Sequence, residues 1–328
     1  MMRRASSLAG VLFALGASVS MAAPRAPQAL PEDWYPESVA IGADGSFYIG
    51  SWRQGAIARL KPAVASKAEV LVKPGANGLA NAQGVLVDAK HRALWVCSGN
   101  SGFTTTPQTP SALKRYDLTT GAPRASYRMP DQGYCNDLAQ DARGNIYVTD
   151  SYHPRVLRLA PGTSAFTVWK EDSALTGSGP YPGLNGIAID GGREVYVSLV
   201  AAASYLLRID LRTDGQAGEV TRIEAPRTMK NVDAIRAWRP GRLVLFESNA
   251  FGDKPYGGQI TVARIEGSKL DLLTVVTGLN DPSSGAVLDD RVYFIESKYG
   301  LLTKRRDEDG PVPTGVPFDI QSRALPRD

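Results

Sequence analysis

Six oxygen-bearing side chains recur about every 46 to 53 residues along the chain, each at the start of a short apolar segment. Two are carboxylates, two are asparagine amides, and the others are a glutamine and a serine. Carboxylate, amide and water oxygens are the usual ligands of hard cations such as Ca²⁺, with Mg²⁺ or Mn²⁺ as substitutes. Whether this set does chemistry depends on whether the fold brings its members together. They are Glu37, Gln83, Asn136, Asn185, Asp233 and Ser284.

The segments that these residues open form a repeat. Each has a polar residue, an apolar strand, a turn rich in Gly and Asp, a second β-rich strand and a closing serine, and outer strands follow in most units. Repeats of this length predict an all-β fold, a six-bladed β-propeller with four-stranded blades around a central channel. A parallel β-helix is disfavoured because its repeats are much shorter. The closing serines are Ser51, Ser98, Ser151, Ser198, Ser248 and Ser297.

A propeller of this kind would gather the six polar residues at one mouth of the channel, because the first strand of each blade is the innermost. Two carboxylates on one axis repel each other unless a cation lies between them. We therefore predict a cation site from Glu37, Asn136, Asn185 and Asp233.

Three other polar residues near the predicted ring are not assigned to the cation site. Gln83 and Ser284 are interpreted as channel wall. Asp137 is predicted to point away from the axis, because alternate residues of a strand face opposite ways.

The segments Leu184-Asn185-Gly186-Ile187, Cys135-Asn136-Asp137 and Val232-Asp233-Ala234 resemble the SMP-30/gluconolactonase/regucalcin-like propellers, and the related diisopropylfluorophosphatase and paraoxonase-type propellers. The resemblance implies a calcium-dependent six-bladed propeller. It also implies that Glu37, Asn185 and Asp233 hold the metal, and that Asn136 lies at the metal or the substrate.

The leading functional hypothesis is a metal-dependent hydrolase of a lactone or related ester, with the metal as Lewis acid. Asp233 is the candidate general base or nucleophile, and Asn136 is the second candidate catalytic residue. One alternative is a propeller that binds a ligand without catalysis, since a fold does not fix a function. Another is a strictosidine-synthase-like reaction.

The loops that follow the closing serines are predicted to frame a small substrate, sugar-like or anionic, because they carry aromatic and basic residues. His153 could shuttle a proton there, whereas His91 falls in a turn on the opposite face. The long loops 99–111 and 249–258 are candidates for specificity. The predicted substrate-binding residues are Trp52, Arg53, Asn100, Tyr152, His153, Tyr256 and Lys298.

Residues 1–22 have the pattern of a secretory signal, with Arg3 and Arg4 ahead of a short apolar run. The expected organisation is this signal, a propeller over residues 23–320 and a C-terminal tail over 321–328. A periplasmic or secreted location follows. The sequence has no long apolar run that predicts a membrane span, and no basic patch that indicates nucleic-acid binding.

Two questions stay open at this stage. Cys97 and Cys135 could form a disulfide in an oxidising compartment, and the spacing allows it without requiring it. The sixth repeat is short of outer strands, so ring closure needs a strand from one terminus, either residues 28–30 or the C-terminal stretch. Two cysteines and two histidines do not make a usual structural zinc site.

Overall fold

The computed structural model describes residues 27–61, 67–177, 183–199, 203–248, 257–303 and 309–326. These form six antiparallel four-stranded sheets, which confirms the predicted six-bladed β-propeller. The N-terminal segment 1–22, read as a secretory signal, lies outside the described residues. No helix among the described residues is both long and apolar enough to cross a membrane.

The strands in chain order are β1 (Gln28–Ala29), β2 (Pro36–Ile41), β3 (Phe47–Ser51), β4 (Ala56–Leu60), β5 (Glu69–Val72), β6 (Asn81–Asp88), β7 (Ala93–Gly99), β8 (Ala112–Asp117), β9 (Pro123–Arg128), β10 (Cys135–Gln140), β11 (Ile146–Asp150), β12 (Arg155–Leu159), β13 (Thr167–Glu171), β14 (Leu184–Asp190), β15 (Glu194–Leu199), β16 (Leu206–Leu211), β17 (Ala217–Ile223), β18 (Val232–Arg239), β19 (Arg242–Glu247), β20 (Gly258–Glu266), β21 (Lys269–Leu279), β22 (Gly285–Leu288), β23 (Arg291–Phe294) and β24 (Asp319–Ala324). The helical turns described are α1 (Gly300–Thr303) and the 3₁₀ turns Ala76–Gly78, Pro130–Gln132 and Ser173–Leu175.

Blades one to five each take four consecutive strands, from β2–β5 to β18–β21. The sixth blade has the order β22-β23-β24-β1, so both ends of the chain close the ring. Gln28 of β1 pairs with Ile320 of β24. Strand β24 continues to Ala324, four residues beyond the expected end of the propeller at residue 320.

The hydrophobic core consists of six clusters, one between each pair of neighbouring blades. Apolar side chains alternate along each strand and pack against the next blade, as the two-residue period requires. Between blades three and four, for example, Tyr147, Ile187 and Val197 are buried in one cluster. This packing fixes the innermost strands relative to one another, and so fixes the ring at the channel mouth.

A disulfide joins Cys97 on β7 to Cys135 on β10, and their Cα atoms are 5.1 Å apart. It ties the second strand of blade two to the innermost strand of blade three. The open question about these two cysteines is therefore settled in favour of pairing.

Candidate active site at the channel mouth

The innermost strands of blades one to five share an irregularity at the position of the ring. On each, the register with the second strand shifts as the ring residue is passed, as in the step from Pro36 to Ser38 on β2 and from Leu184 to Ile187 on β14. The same shift occurs on β6, β10 and β18. A β-bulge leaves residues unpaired and re-aims their side chains, which turns this part of each strand toward the axis.

The structure brings the four predicted cation ligands to a single cavity. Glu37, Asn136, Asn185 and Asp233 all line it, and each is at least nine-tenths buried. The cavity measures about 10 Å³, which is the scale of one water-sized species. The four side chains are thus close enough to share a single small ligand.

Glycines beside the ring allow this close approach. A Cβ added at Gly186 would lie 2.8 Å from the Cα of Ala234 and from the carbonyl oxygen of Asp233. A Cβ at Gly84 would lie 2.7 Å from the Cα of Asp137. The innermost strands of adjacent blades therefore meet at positions where only glycine fits.

Both carboxyl groups of the ring are held in an environment that disfavours charge. Burial raises the pKa of Asp233 to about 7; hydrogen bonds from Asn185 and Ser248 oppose the rise, while Asp281 and Asp137 add to it. Burial also raises the pKa of Glu37 well above its usual range; Asp233 and Asp137 add to that rise, and Arg236 opposes it. The two groups thus gain from sharing a proton or a cation.

The two ring asparagines are held by their amide nitrogens. Asn136 donates from Nδ2 to the Ser151 hydroxyl at 2.9 Å, and Asn185 donates from Nδ2 to Asp233 Oδ1 at 2.8 Å. The closing serine of blade three therefore orients a ring residue, and no described residue donates a hydrogen bond to the side-chain Oδ1 of either asparagine. Oxygen atoms from two amides and two carboxylates match the ligand preference of a hard cation.

Gln83 does more than line the channel. In the amide orientation that satisfies all its neighbours, its nitrogen donates to Glu37 Oε1 at 3.0 Å. Its oxygen then accepts from the Tyr134 hydroxyl at 2.6 Å and from Trp52 Nε1 at 2.8 Å. Gln83 thereby links the buried Glu37 carboxylate to the aromatic residues above it.

Asp137 faces the channel, and the expectation that it points away from the axis is wrong. The bulge between Cys135 and Leu138 breaks the strand alternation on which that expectation rested. Asp137 lines the same cavity, and its Oδ2 accepts from Arg236 Nη1 at 3.0 Å.

Arg236 is the functional candidate that sequence reasoning missed. Its guanidinium also donates to the Gly285 carbonyl at 3.0 Å and to the Ser284 hydroxyl at 2.9 Å. It thus joins blades three, five and six directly under the acidic ring. A charged residue within the apolar innermost strand of blade five was the available signal.

Below Arg236 the channel holds a cavity of about 310 Å³, lined mostly by aliphatic residues from all six innermost strands. Arg236 lines both the upper and the lower cavity. It therefore stands at the boundary between the acidic ring and the lower channel.

Aromatic residues form part of the upper wall of the site. The rings of Trp52 and Tyr299 meet edge to face with centroids 5.3 Å apart, and Phe103 packs on Trp52 at 5.6 Å. Burial raises the pKa of Tyr299 well above its usual range, and the charges of Asp233 and Glu37 add to the rise.

Some of the predicted substrate-binding residues lie in or beside the upper wall of the site, and the others lie away from the ring. Trp52 contacts Gln83, and the ring of Tyr152 lies 5.1 Å from that of Tyr134, so both belong to the upper wall. His153 Nδ1 lies 3.0 Å from the buried Asp150 carboxylate, which also accepts from Arg155.

The remaining predicted residues do not join the ring. Arg53 stacks over the Tyr35 ring at 5.7 Å, and Asn100 is exposed. Lys298 donates to the Pro317 carbonyl at 2.7 Å and covers the Phe318 ring. Tyr256 lies outside the described residues.

No cluster of three or more Asp, Glu, His and Cys side chains suited to a metal occurs in the described part of the chain. A cation at the mouth would therefore need amide oxygens in addition to the two carboxylates. The Asn136 and Asn185 side chains supply them from the same cavity.

No protein-family model matches the chain, and no curated protein sequence matches it. Solved structures do match in fold. A gluconolactonase from Xanthomonas campestris is 17% identical with a TM-score of 0.59, over 88% of this chain and 86% of its own. A luciferin-regenerating enzyme is 13% identical with a TM-score of 0.59, over 90% and 95% of the two chains.

A virginiamycin B lyase from Staphylococcus aureus is 12% identical with a TM-score of 0.58, over 88% of this chain and 80% of that one. At these identities the likeness establishes the fold alone. The chain is a six-bladed β-propeller with the architecture that gluconolactonase-like propellers share.

Proposed function

We propose that the protein is a metal-dependent hydrolase that opens a lactone or a related ester at the upper mouth of its channel. The observation that carries the proposal is the pair of buried carboxylates, Glu37 and Asp233, which share one small cavity with the amides of Asn136 and Asn185. Like charges in a buried site are costly unless a cation or a proton compensates them. The gluconolactonase among the fold neighbours supports this choice of reaction.

Glu37, Asn136, Asn185 and Asp233 would hold Ca²⁺, or Mg²⁺ or Mn²⁺ in its place. When bound, such an ion would supply Lewis-acid polarisation of the ester carbonyl.

Asp233 would act on the reacting water or on the carbonyl carbon itself. Its Oδ1 accepts from Asn185 Nδ2 at 2.8 Å, and Ser248 also hydrogen-bonds to the carboxyl group, so the side chain is held in a fixed orientation at the cavity. Arg236 lies beneath the ring, so substrate would approach from the upper mouth. There Trp52 and Tyr299 would exclude water and pack against the substrate, which fits a small sugar-like or anionic compound.

An exported, periplasmic location is part of the proposal. The N-terminal signal pattern supports it, and so does the Cys97–Cys135 disulfide, because disulfides persist in oxidising compartments.

The test is hydrolysis of a panel containing δ-gluconolactone, γ-butyrolactone and phenyl acetate, by metal-stripped and Ca²⁺-loaded protein. We expect Ca²⁺-dependent turnover that falls about a hundredfold or more in Asp233→Asn. Asp271→Asn, on the exposed face of β21, is the matched control and should keep full activity. Equal turnover in the two variants, or equal turnover with and without metal, would contradict the proposal.

A second candidate is ligand binding without catalysis. The cavity of about 10 Å³ holds only a water-sized species, so an organic ligand would rest above it on Trp52 and Tyr299. Saturable binding of δ-gluconolactone by the Ca²⁺-loaded protein, with no hydrolysis of any member of the panel, would favour this function over the hydrolase.

A further inference from the structure

A contact between neighbouring blades recurs at three of the four junctions that join blades one to five. An arginine on the third strand of one blade donates to a carbonyl in the turn between the third and fourth strands of the next blade. This contact, the inter-blade latch, closes the outer part of the lower face at the junctions of blades one and two, three and four, and four and five. The pairs are Arg59 with Thr119 at 2.7 Å, Arg158 with Gly215 at 3.2 Å and Arg208 with Gly267 at 3.1 Å.

The junction of blades three and four shows what the latch satisfies. The Gly215 carbonyl accepts from Arg158 Nη1 and also from Trp169 Nε1, at 3.0 Å. One acceptor oxygen thus serves a guanidinium and an indole N–H together.

The latch is absent at the junction of blades two and three. Arg115, on the third strand of blade two, stacks over the Trp95 ring at 5.3 Å but donates no hydrogen bond to any described residue. Trp95 is 7% exposed, and its buried Nε1 has no acceptor. This junction therefore has a guanidinium and an indole N–H, as the next one has, although Trp95 lies on the second strand of its blade and Trp169 on the fourth. Among the described residues it lacks the acceptor oxygen.

The turn of blade three explains the missing acceptor. Seven residues separate Leu159 from Thr167, whereas five separate Asp117 from Pro123 and five separate Leu211 from Ala217. Thr163 donates both its backbone N–H and its hydroxyl to the Ala160 carbonyl. The longer turn thus folds on itself and uses that carbonyl internally.

A pocket of about 230 Å³ occupies the place of the latch. Arg115 and Trp95 line one side, and apolar groups of Tyr127, Ile146 and Pro161 line much of the rest.

The acidic group of this pocket is already engaged. Asp88 accepts from the His91 imidazole at 2.8 Å and from Gln140 at 3.0 Å. The cation that faces the pocket without a hydrogen-bonding partner among the described residues is therefore Arg115.

We propose that this pocket binds a small carboxylate with an apolar body. The carboxylate would accept from the Arg115 guanidinium and the Trp95 N–H, the same two donor types that the Gly215 carbonyl serves at the next junction, because a guanidinium binds carboxylates in a two-pronged geometry. The apolar body would pack against Tyr127, Ile146 and Pro161. The site lies on the face opposite the acidic ring and does not depend on the proposed hydrolase.

The probe is benzoate, titrated by calorimetry and by the ¹⁵N-resolved indole N–H signal of Trp95. Benzamide is the neutral control ligand of the same shape. We expect saturable benzoate binding, a shift of the Trp95 signal, and at least tenfold weaker binding of benzamide. Arg115→Met should weaken benzoate binding at least tenfold, and Asp233→Asn should leave it unchanged.

Arg158→Met is the matched control protein, because it removes the same side chain at a junction whose latch is closed. It should bind benzoate as the wild type does. Three results would each overturn the proposal: no saturable benzoate binding by the wild type, equal binding of benzoate and benzamide, or an equal loss in the Arg115 and Arg158 variants. Trp95→Phe keeps the aromatic platform and removes only the N–H, so it should weaken binding while the protein stays folded.

Discussion

Arg236 Nη1 and Asp137 Oδ2 form an ion pair 3.0 Å long across the axis of the propeller, between blades five and three. The pair lies directly beneath the Glu37 and Asp233 carboxylates, and Arg236 lowers the pKa of Glu37 against the effect of burial. The protein therefore places one cation of its own beside the acidic ring. A divalent cation at the mouth would bind against the repulsion of that guanidinium.

Removing the positive charge of Arg236 should strengthen cation binding at the ring when its partner carboxylate is removed as well. In the double variant Arg236→Met/Asp137→Asn, the guanidinium and its partner charge leave together, which avoids an unpaired buried carboxylate. Asp137→Asn alone removes a negative charge and should weaken Ca²⁺ binding about tenfold, whereas the double variant should bind at least ten times more tightly than Asp137→Asn. Calorimetric titration of metal-stripped protein with Ca²⁺ measures both.

Arg239→Met is the control for this prediction, because Arg239 lies on the same strand with its side chain 38% exposed. It should not change the Ca²⁺ affinity. If the double variant binds Ca²⁺ no better than Asp137→Asn, Arg236 acts only as a structural bridge between blades.

The raised pKa of Asp233 predicts how stability changes with pH in the metal-stripped protein. The pKa is about 7 in the folded state, against about 3.9 for an unfolded aspartic acid. The folded protein keeps a proton that the unfolded chain releases, so this contribution is complete below about pH 4 and is lost as the pH rises to about 7. Its size is at most about 4 kcal/mol.

Urea unfolding of metal-stripped wild type and Asp233→Asn at pH 5 and pH 8 checks this. The free energy of unfolding should fall more steeply with pH in the wild type than in the variant. Added Ca²⁺ should stabilise the wild type more at pH 8 than at pH 5, because protons compete with the cation for the carboxylates. Parallel pH profiles of the two proteins would show that Asp233 is not the responsible group.

The repeat made the fold and the position of the ring predictable from the sequence. The repeat period, the turn residues and the closing serines predict the blade architecture. That architecture by itself brings four side chains to one mouth of the channel, those of Glu37, Asn136, Asn185 and Asp233. The bulge that turns Asp137 inward could not be predicted, because it depends on register between paired strands. Arg236 was missed for a related reason, since its partners belong to two other blades.

Ring closure shows the same limit from another side. The sequence indicated that the sixth blade needed a strand from a terminus. It did not show which terminus, because the pairing of β1 with β24 joins segments far apart in the sequence and leaves no local sequence pattern. In the structure the two termini complete one blade together.

Gly186→Ala should disturb the ring from a position that bears no functional group. The new Cβ would lie 2.8 Å from Ala234 Cα and from the Asp233 carbonyl oxygen, both backbone atoms that cannot move aside. We expect a loss of about 1–3 kcal/mol in the free energy of unfolding, and weaker Ca²⁺ binding as Asp233 shifts. Gly42→Ala is the control, since its nearest neighbour is the flexible end of the Asp44 side chain. Equal stability and equal Ca²⁺ affinity in the two variants would contradict the close packing of β14 on β18.

Removal of the disulfide should lower stability and leave the ring formed. Cys97 and Cys135 are 38 residues apart in sequence, and closing a loop of that length restricts the unfolded chain by about 4 kcal/mol in the entropic account. Cys97→Ala/Cys135→Ala should therefore unfold at lower urea concentration, with a larger m-value because the unfolded chain without the cross-link exposes more surface. Reducing agent should lower the stability of the wild type and leave the double variant unaffected. Cys135 directly precedes Asn136, so the Ca²⁺ affinity of the folded double variant reports whether the disulfide also positions the ring. We expect this affinity to stay within about threefold of the wild type, because the interblade cluster around Leu138 and Val148 remains.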